Sequence, residues 1–157
     1  MRRKDREVTD HSEILAIMKR CDVCRIALCD ADYPYIVPVN FGFETGEDGT
    51  VFLYFHGAKA GTKHALIEKN GNASFEMDCS HKLLPPTGEE ACTASMAYES
   101  VTGRGEITVL AEEEKERALS VILQHYAITA DQFNPAALAA TTVYRIRCHS
   151  LTAKRRM

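Results

Sequence analysis

The chain has 157 residues, of which 45% are hydrophobic and 26% charged, and it carries a formal net charge of −3. This length and composition predict one domain, 1–157, with a buried core. The net charge gives no support for general nucleic-acid binding, which usually involves a basic surface. No apolar run is long enough to span a membrane, and the charged N-terminus is unlike a secretory signal, so we expect a cytoplasmic protein without a membrane partner.

The first predicted element is a helix. Asp10 and Glu13 have capping-box spacing, with aspartate in place of the usual serine or threonine. Apolar residues then recur at helical spacing, so we predict a helix over residues 10–20. Residues 1–6 are expected to form a loose arm or an arm held by a partner. After the helix, VCRIALC (Val23–Cys29) has the composition of a strand.

Two of the six cysteines, Cys21 and Cys24, form a C-x-x-C motif at the start of this strand. A structural zinc site needs a second ligand pair, and the sequence has no second C-x-x-C and no H-x-x-x-H. Cys79, His81 or Cys92 would complete a site only through tertiary proximity. Because Cys24 lies in a predicted strand, we interpret these cysteines as buried apolar residues and expect no metal.

A second strand is predicted from YPYIVPVNFGFE, residues 33–44. Pro34 and Pro38 lie within it. Because proline cannot donate a hydrogen bond to a β-ladder, we expect this strand at a sheet edge, at a bulge, or with its polar groups facing something else. The sequence TGEDG then indicates a hairpin turn within residues 44–50.

The third strand leads directly into a helix, in the stretch VFLYFHGAKAGTKHAL (51–66). Its first five residues are apolar and rich in aromatics, as in a strand. Two glycines then break the pattern, Thr62 is a plausible helix N-cap, and the helix is predicted to end near Asn70. Because a helix N-terminus has free N–H groups and partial positive charge, it suits a phosphate, and Lys59 and Lys63 would add full charges beside it.

The rest of the chain alternates strands and helices. We predict strands at 72–78, 94–110 (bent at Gly103 and Gly105) and 141–155, a loop at 81–91, an amphipathic helix at 112–126, and a short helical or irregular segment at 131–140. About six strands joined mostly by hairpin-length links predict an α+β, mainly β, antiparallel barrel or sheet. The proline-bearing strand leaves an edge open, where a partner subunit could lie.

Several segments, in this order and spacing, resemble one known family. They are CDVCRIAL, YPYIVPVNFGFE, LYFHGAKAGTK, FEMD, YESVTGRGEI and YRIRCHSLTAKRR. Together they resemble the nitroimidazole-resistance branch of the pyridoxamine 5'-phosphate oxidase-like flavoproteins, over the whole chain. The resemblance implies an antiparallel split β-barrel and a homodimer with two flavin sites at the subunit interface. It also implies FMN as the cofactor, with FAD possible, and reduction of small molecules.

The resemblance also assigns roles to individual residues. His56 matches the histidine that ends the third strand beside the flavin and the substrate, so it is the candidate catalytic residue. Lys63 lies where the family places a basic residue on the FMN phosphate. The candidate cofactor-binding residues are Val39, Asn40, Tyr54, Phe55, Lys59, Thr62, Lys63, Met77, Tyr98 and Ser100, of which Tyr98 and Ser100 are expected near the partner's flavin.

The activity implied by the resemblance is a flavin-dependent reduction of small electron-poor molecules, with His56 as proton donor. No G-x-G-x-x-G follows a strand, so NAD(P)H or a reductase would donate electrons as a transient partner. The basic strand motif that the oxidase itself uses on the phosphate is missing from YPYIVPVNFGFE, and Thr62 replaces its arginine. These departures argue against vitamin B6 oxidation.

Other interpretations remain open from the residues alone. The stretch 51–66 is also what an ordinary strand, loop and helix with solvated lysines would look like, and a histidine at a strand end is commonly a surface residue. Two further functions use the same architecture: a flavin-binding module without turnover, and a haem-binding split barrel. A visible spectrum distinguishes flavin from haem.

Overall fold

The computed structural model describes residues 3–130 and 132–157. The strands are β1 (Glu7–Val8), β2 (Cys24–Leu28), β3 (Tyr35–Val39), β4 (Phe41–Thr45), β5 (Val51–Ala58), β6 (Asn72–Leu84), β7 (Ser95–Val109) and β8 (Thr141–Arg156). The helices are α1 (His11–Arg20), α2 (Thr62–Lys69), α3 (Glu112–His125) and α4 (Pro135–Ala140), with short 3₁₀ turns at Lys4–Arg6 and Ala91–Thr93. No helix in these described ranges is long and apolar enough to cross a membrane.

The strands form one antiparallel sheet in the order β3-β2-β6-β7-β8-β5-β4, with β1 paired to β8. The two end strands, β3 and β4, are consecutive in the chain and are separated only by Asn40. The sheet therefore curls round so that its two edges meet near this residue without pairing to each other. This is the predicted antiparallel split β-barrel, with helices around it.

The predicted second strand is divided at Asn40. Residues before it form β3 and pair only with β2, while residues after it form β4 and pair only with β5. Pro38 accordingly lies in an edge strand, as predicted, where its missing N–H costs nothing on the open side. The break at Asn40 therefore places β3 and β4 at the two opposite ends of the sheet, although they come from one apolar segment of the chain.

The β6–β7 hairpin is longer than predicted. The strand predicted at 72–78 continues to Leu84, through a bulge between Cys79 and Lys82 at which Ser80 has φ of 61°. Part of the loop predicted from residue 81 is therefore strand. On β7, the predicted bend is present as a register shift between Arg104 and Gly105.

Helix α1 begins as predicted, with Asp10 as its N-cap. The Asp10 carboxylate accepts a hydrogen bond of 3.0 Å from the Glu13 backbone N–H. The reciprocal half of the capping box does not form, because the Glu13 carboxylate instead accepts a hydrogen bond of 2.9 Å from Arg155. The apolar face of the helix buries Ile14, Ile17 and Met18 against the barrel core. The predicted arm at residues 1–6 lies partly outside the described residues.

Helix α3 covers the other end of the barrel. It buries Ala118 and Ile122 in a second apolar cluster with Tyr54, Leu110 and Val143. The helix backbone contacts β4 closely at Gly42, which has no side chain to separate them. The end of α3 thereby reaches the junction between β3 and β4, where the candidate site lies.

Candidate functional site

His56 lies near the end of β5, opposite Val143 of β8. On its other side, the β4–β5 ladder ends at the pair Phe41 and Phe55, so Asn40 lies one position beyond it, level with His56. The register of the β4–β5 hairpin therefore places Asn40 and His56 side by side at one end of the barrel. We call this end of the barrel the rim.

The His56 side chain is exposed, yet the surrounding protein displaces enough water to lower the pKa of its imidazole below 6.5, and the positive charge of Lys63 lowers it further. At neutral pH the ring is therefore mostly neutral. It offers one N–H donor and one lone pair to a ligand, and becomes an imidazolium only below its lowered pKa.

Lys63 folds back over β5. Its ammonium donates a hydrogen bond of 3.2 Å to the His56 carbonyl oxygen and lies 5.5 Å and 5.7 Å from the ring centres of Phe55 and Tyr144. A Cβ at Gly57 would lie 2.5 Å from the Lys63 Nζ, so this glycine creates the space that the ammonium occupies. Burial lowers the pKa of Lys63, which makes an anion favourable beside it.

The N-terminus of α2 lies next to this lysine. The N-cap is Gly61, with φ of 120°, and no side chain caps the helix, so the prediction of Thr62 as N-cap was wrong. The position needs a backbone conformation that glycine adopts easily and threonine does not. Within the helix, the first backbone hydrogen bond runs from Ala65 to Gly61, which leaves the N–H groups of Thr62, Lys63 and His64 free for a ligand.

A second layer holds the Lys63 side chain in place. The Tyr144 ring is fully buried and stacks on Phe55 with centroids 4.8 Å apart. Its hydroxyl shares a hydrogen bond of 3.0 Å with the His64 Nδ1, and the His64 Nε2 lies 3.3 Å from a Glu68 carboxylate oxygen. The Tyr144 ring beside the Lys63 ammonium is therefore held by His64 of the same helix, α2.

Tyr126, just after α3, holds the β3–β4 junction. Its hydroxyl accepts hydrogen bonds from the Asn40 amide at 3.2 Å and from the Phe41 backbone N–H at 3.1 Å, and donates one of 2.7 Å to the Asp22 carbonyl oxygen. The Asn40 amide nitrogen is therefore fixed. Its amide oxygen has no hydrogen-bond partner among the described residues.

Three predicted cofactor contacts have buried side chains. The Tyr54 hydroxyl donates a hydrogen bond of 2.7 Å to Glu44, Phe55 packs on Tyr144, and Met77 lies in the barrel core. Val39 is also nearly covered. Any contact from these positions to a cofactor would come from their backbone atoms.

Lys59 is exposed in the loop before α2, near enough to the start of α3 for its charge to act on Glu112. Lys115, and more weakly Lys59, hold the pKa of the Glu112 carboxyl below its ordinary value. The Glu112 carboxylate would therefore compete with a phosphate for the Lys59 ammonium. Lys63, whose ammonium has a carbonyl as its one hydrogen-bond partner in the described part of the chain, is better placed.

Tyr98 and Ser100 are not brought to this rim within one chain. They pair with Arg156 and Lys154 of β8, whereas His56 pairs with Val143 of the same strand. At about 3.3 Å per residue, roughly 35–45 Å of strand separates the two sets. One chain therefore holds two separate groups of predicted site residues.

Three residues that shape the site carried no signal for it in the sequence. Gly57 was predicted only to end a strand, and Tyr126 and Tyr144 only to be an apolar helix residue and a strand residue. The hydroxyl partners of the two tyrosines lie 86 and 80 positions away in the chain, so local pattern could not identify them.

The fold and the rim define a class of protein, the split β-barrels in which a strand-end histidine lies beside a lysine and an open helix N-terminus. Comparison with known sequences gives the family. The sequence model of the pyridoxamine 5'-phosphate oxidase family matches residues 10–155, and the chain belongs to that family. Among proteins with curated descriptions, none is significantly similar to it.

Solved structures agree with this family and fold. A proposed 5-nitroimidazole antibiotic resistance protein from Bacteroides thetaiotaomicron is 31% identical, with a TM-score of 0.77 over 94% of this chain and 85% of the other. An FAD- and haem-binding protein from Mycobacterium smegmatis is 17% identical, with a TM-score of 0.82 over 96% and 73%. An FAD-binding protein from Mycobacterium smegmatis is 18% identical, with a TM-score of 0.60 over 96% and 98%.

Proposed function

We propose that this protein binds a flavin at the rim formed by β5, α2 and the β3–β4 junction. The observation that carries the proposal is the Lys63 ammonium, half-buried and with one carbonyl as acceptor, beside the free N–H groups at the start of α2. That combination suits a phosphate. FMN is the proposed ligand, and FAD, which the two neighbours from Mycobacterium smegmatis are named for binding, is the close alternative.

The residues of the rim fit such a ligand in two parts. The phosphate would lie against the N–H groups of Thr62 and Lys63 and the Lys63 ammonium. The ring would lie along the Val39 and Asn40 backbone, with the Asn40 amide oxygen as acceptor and His56 beside it. Lys59 could approach a second phosphate, as FAD would require.

We further propose that the protein is a reductase of small electron-poor molecules, including nitro compounds. A bound flavin would supply the hydride or electron transfer, with NAD(P)H or a reductase as transient electron donor. The chain's own contribution would be to hold the substrate at the rim, where the His56 imidazolium can donate a proton. Support comes from the 31% identity to the proposed 5-nitroimidazole resistance protein.

Replacing His56 by alanine is expected to leave flavin bound but to slow turnover by about a hundredfold, the usual contribution of a general acid. Because the folded protein lowers the pKa of His56 below 6.5, the wild-type rate should rise as pH falls through that pKa, and the variant should lack this rise. The measurement is NAD(P)H-dependent reduction of a nitroaromatic panel between pH 5 and 8, the range in which histidine titrates.

His149→Ala is the matched control, because His149 is an exposed histidine on β8 outside the rim. It should keep both the rate and the pH profile. Full activity of His56→Ala on every accepted substrate would show that His56 is structural. Flavin binding without any turnover in the wild type would favour a binding module, and a Soret band in place of flavin bands would favour haem.

We also propose a homodimer. Tyr98 and Ser100 can contribute to a flavin site only from a second chain, since they are far from His56 on their own. They face outward on β7, and a cleft of about 700 Å³ lies on this outer sheet face near the exposed Ile36. Light scattering should give about twice the 17.5 kDa chain mass. A monomer that holds flavin tightly would contradict a shared site.

A further inference from the structure

Two cysteines that are far apart in sequence meet at the end of α1. Cys21 directly follows the helix, and Cys79 lies on β6 just before the bulge. Both thiols are directed at the same atom, the Ile17 carbonyl oxygen, which lies 3.3 Å from the Cys21 sulfur and 4.0 Å from the Cys79 sulfur. Because both sulfurs contact the same oxygen, they are at most about 7 Å apart.

The two thiols differ in access to solvent. Cys21 is buried, with 1% of its surface exposed, whereas Cys79 is partly exposed. Burial raises the pKa of the Cys21 thiol, and the neighbouring Cys79 thiol raises it further. A small solute can therefore reach Cys79 first, with Cys21 behind it.

Polar groups surround the outer thiol. The Cys79 sulfur lies 3.6 Å from the Ser80 hydroxyl and 4.0 Å from a carboxylate oxygen of Glu99, which also binds the Arg20 guanidinium. The Arg20 guanidinium is close enough for Cys79 to raise the pKa of that group, after the larger effect of Glu99. A cleft of about 420 Å³ opens onto Cys79 from the solvent side.

The C-x-x-C motif of the sequence is not the reactive pair. Cys24 turns into the barrel core, where burial first and then the charges of Glu76 and Cys148 raise the pKa of its thiol. In the described ranges, no group of three His, Cys, Asp or Glu side chains is arranged to hold a metal ion. The spatial partner of Cys21 is Cys79.

We propose that Cys21 and Cys79 are an oxidisable dithiol, which a hydroperoxide converts to a disulfide joining the end of α1 to the bulge of β6. In the first step the Cys79 thiolate attacks a peroxide oxygen, the O–O bond breaks, and the leaving oxygen takes a proton to become water or an alcohol. Cys79 is now a sulfenic acid.

In the second step the Cys21 sulfur attacks the Cys79 sulfur. The S–S bond forms, the S–O bond breaks, and water leaves with the Cys21 proton. Two thiols lose two electrons in total, and the peroxide gains them. The disulfide would close a loop of the chain between positions 21 and 79. The proposal does not rest on flavin binding.

The test is oxidation of the reduced full-length protein by a small excess of hydrogen peroxide, followed by unfolding in denaturant, alkylation of the remaining thiols, digestion and mass spectrometry. The expected result is one linked peptide pair containing Cys21 and Cys79, with two of the six thiols protected from alkylation and recovered by dithiothreitol. Cys29→Ser, which removes an exposed thiol elsewhere, should give the same pair.

Single variants separate the two roles. In Cys21→Ser, Cys79 should be trapped by dimedone as the sulfenic acid, because nothing resolves it. In Cys79→Ser, Cys21 should remain alkylatable at the same peroxide dose. The proposal is overturned if wild-type Cys79 accumulates as sulfenic acid while Cys21 stays a free thiol, if Cys79 pairs with another cysteine, or if only the exposed Cys29 and Cys92 are oxidised.

Discussion

Gly42→Ala is expected to lower the free energy of unfolding by about 3 kcal/mol, at the upper end of the usual cost of overpacking. A Cβ at this position would lie 2.5 Å from the Val121 carbonyl oxygen and 2.7 Å from the Ile122 N and Cα atoms. These are backbone atoms, so no change of rotamer can relieve the clash, and α3 must move away from β4. Urea denaturation followed by circular dichroism measures the loss.

The displacement of α3 should also reach the candidate site. Tyr126 follows the helix and binds Asn40 and the Phe41 N–H, so the β3–β4 junction would lose its support. Gly71→Ala is the matched control, because its Cβ would meet a single atom, the Ile107 carbonyl oxygen, at 3.1 Å. A Gly42→Ala protein as stable as the wild type would contradict the close packing of α3 on β4.

Much of the barrel could be predicted because its signals are local. The acidic first turn and apolar stripe of α3, the glycine bend of β7 and the N-cap at Asp10 all lie within a few residues of the structure they determine. Each of these elements is present with bounds close to the predicted ones. The hairpin-length links between strands were enough to indicate an antiparallel fold.

The division at Asn40 could not be predicted in the same way. Strand-like residues continue through VPVNFGF without a turn signal, so the sequence shows one strand. The interruption arises because β3 pairs with β2 and β4 pairs with β5, on opposite edges of the split. Such a choice of partner depends on the closure of the whole barrel.

The candidate site shows the same limit. His56 and Lys63 lie in one continuous segment, in which a strand, two glycines and a helix follow each other. The family resemblance of this segment was enough to predict both residues as part of a flavin site. The direction of the Lys63 side chain depends instead on Gly57 beneath it and on Tyr144, which is 81 positions further along the chain. The hydrogen bonds from Tyr126 to Asn40 and Phe41 likewise join residues that only the tertiary fold brings together.

Lys63→Ala is expected to weaken FMN binding by roughly ten- to a hundredfold. A charge-assisted hydrogen bond contributes about 1.5–3 kcal/mol, and each 1.4 kcal/mol changes the dissociation constant about tenfold. Burial lowers the pKa of the Lys63 ammonium, which shows that its positive charge is poorly solvated. A bound phosphate would stabilise this charge, which adds to the affinity that the variant loses. Titration of the protein into FMN, followed by flavin fluorescence, measures the dissociation constants of both proteins.

Lys69→Ala is the control, since Lys69 is an exposed lysine at the opposite end of the same helix. The titration should show saturable FMN binding to the wild type and to Lys69→Ala, and weaker binding to a folded Lys63→Ala. FAD, titrated in parallel, shows whether the site prefers the longer cofactor. An unchanged dissociation constant in Lys63→Ala would contradict the phosphate site, and a folded wild type that binds neither FMN nor FAD would contradict the flavin function.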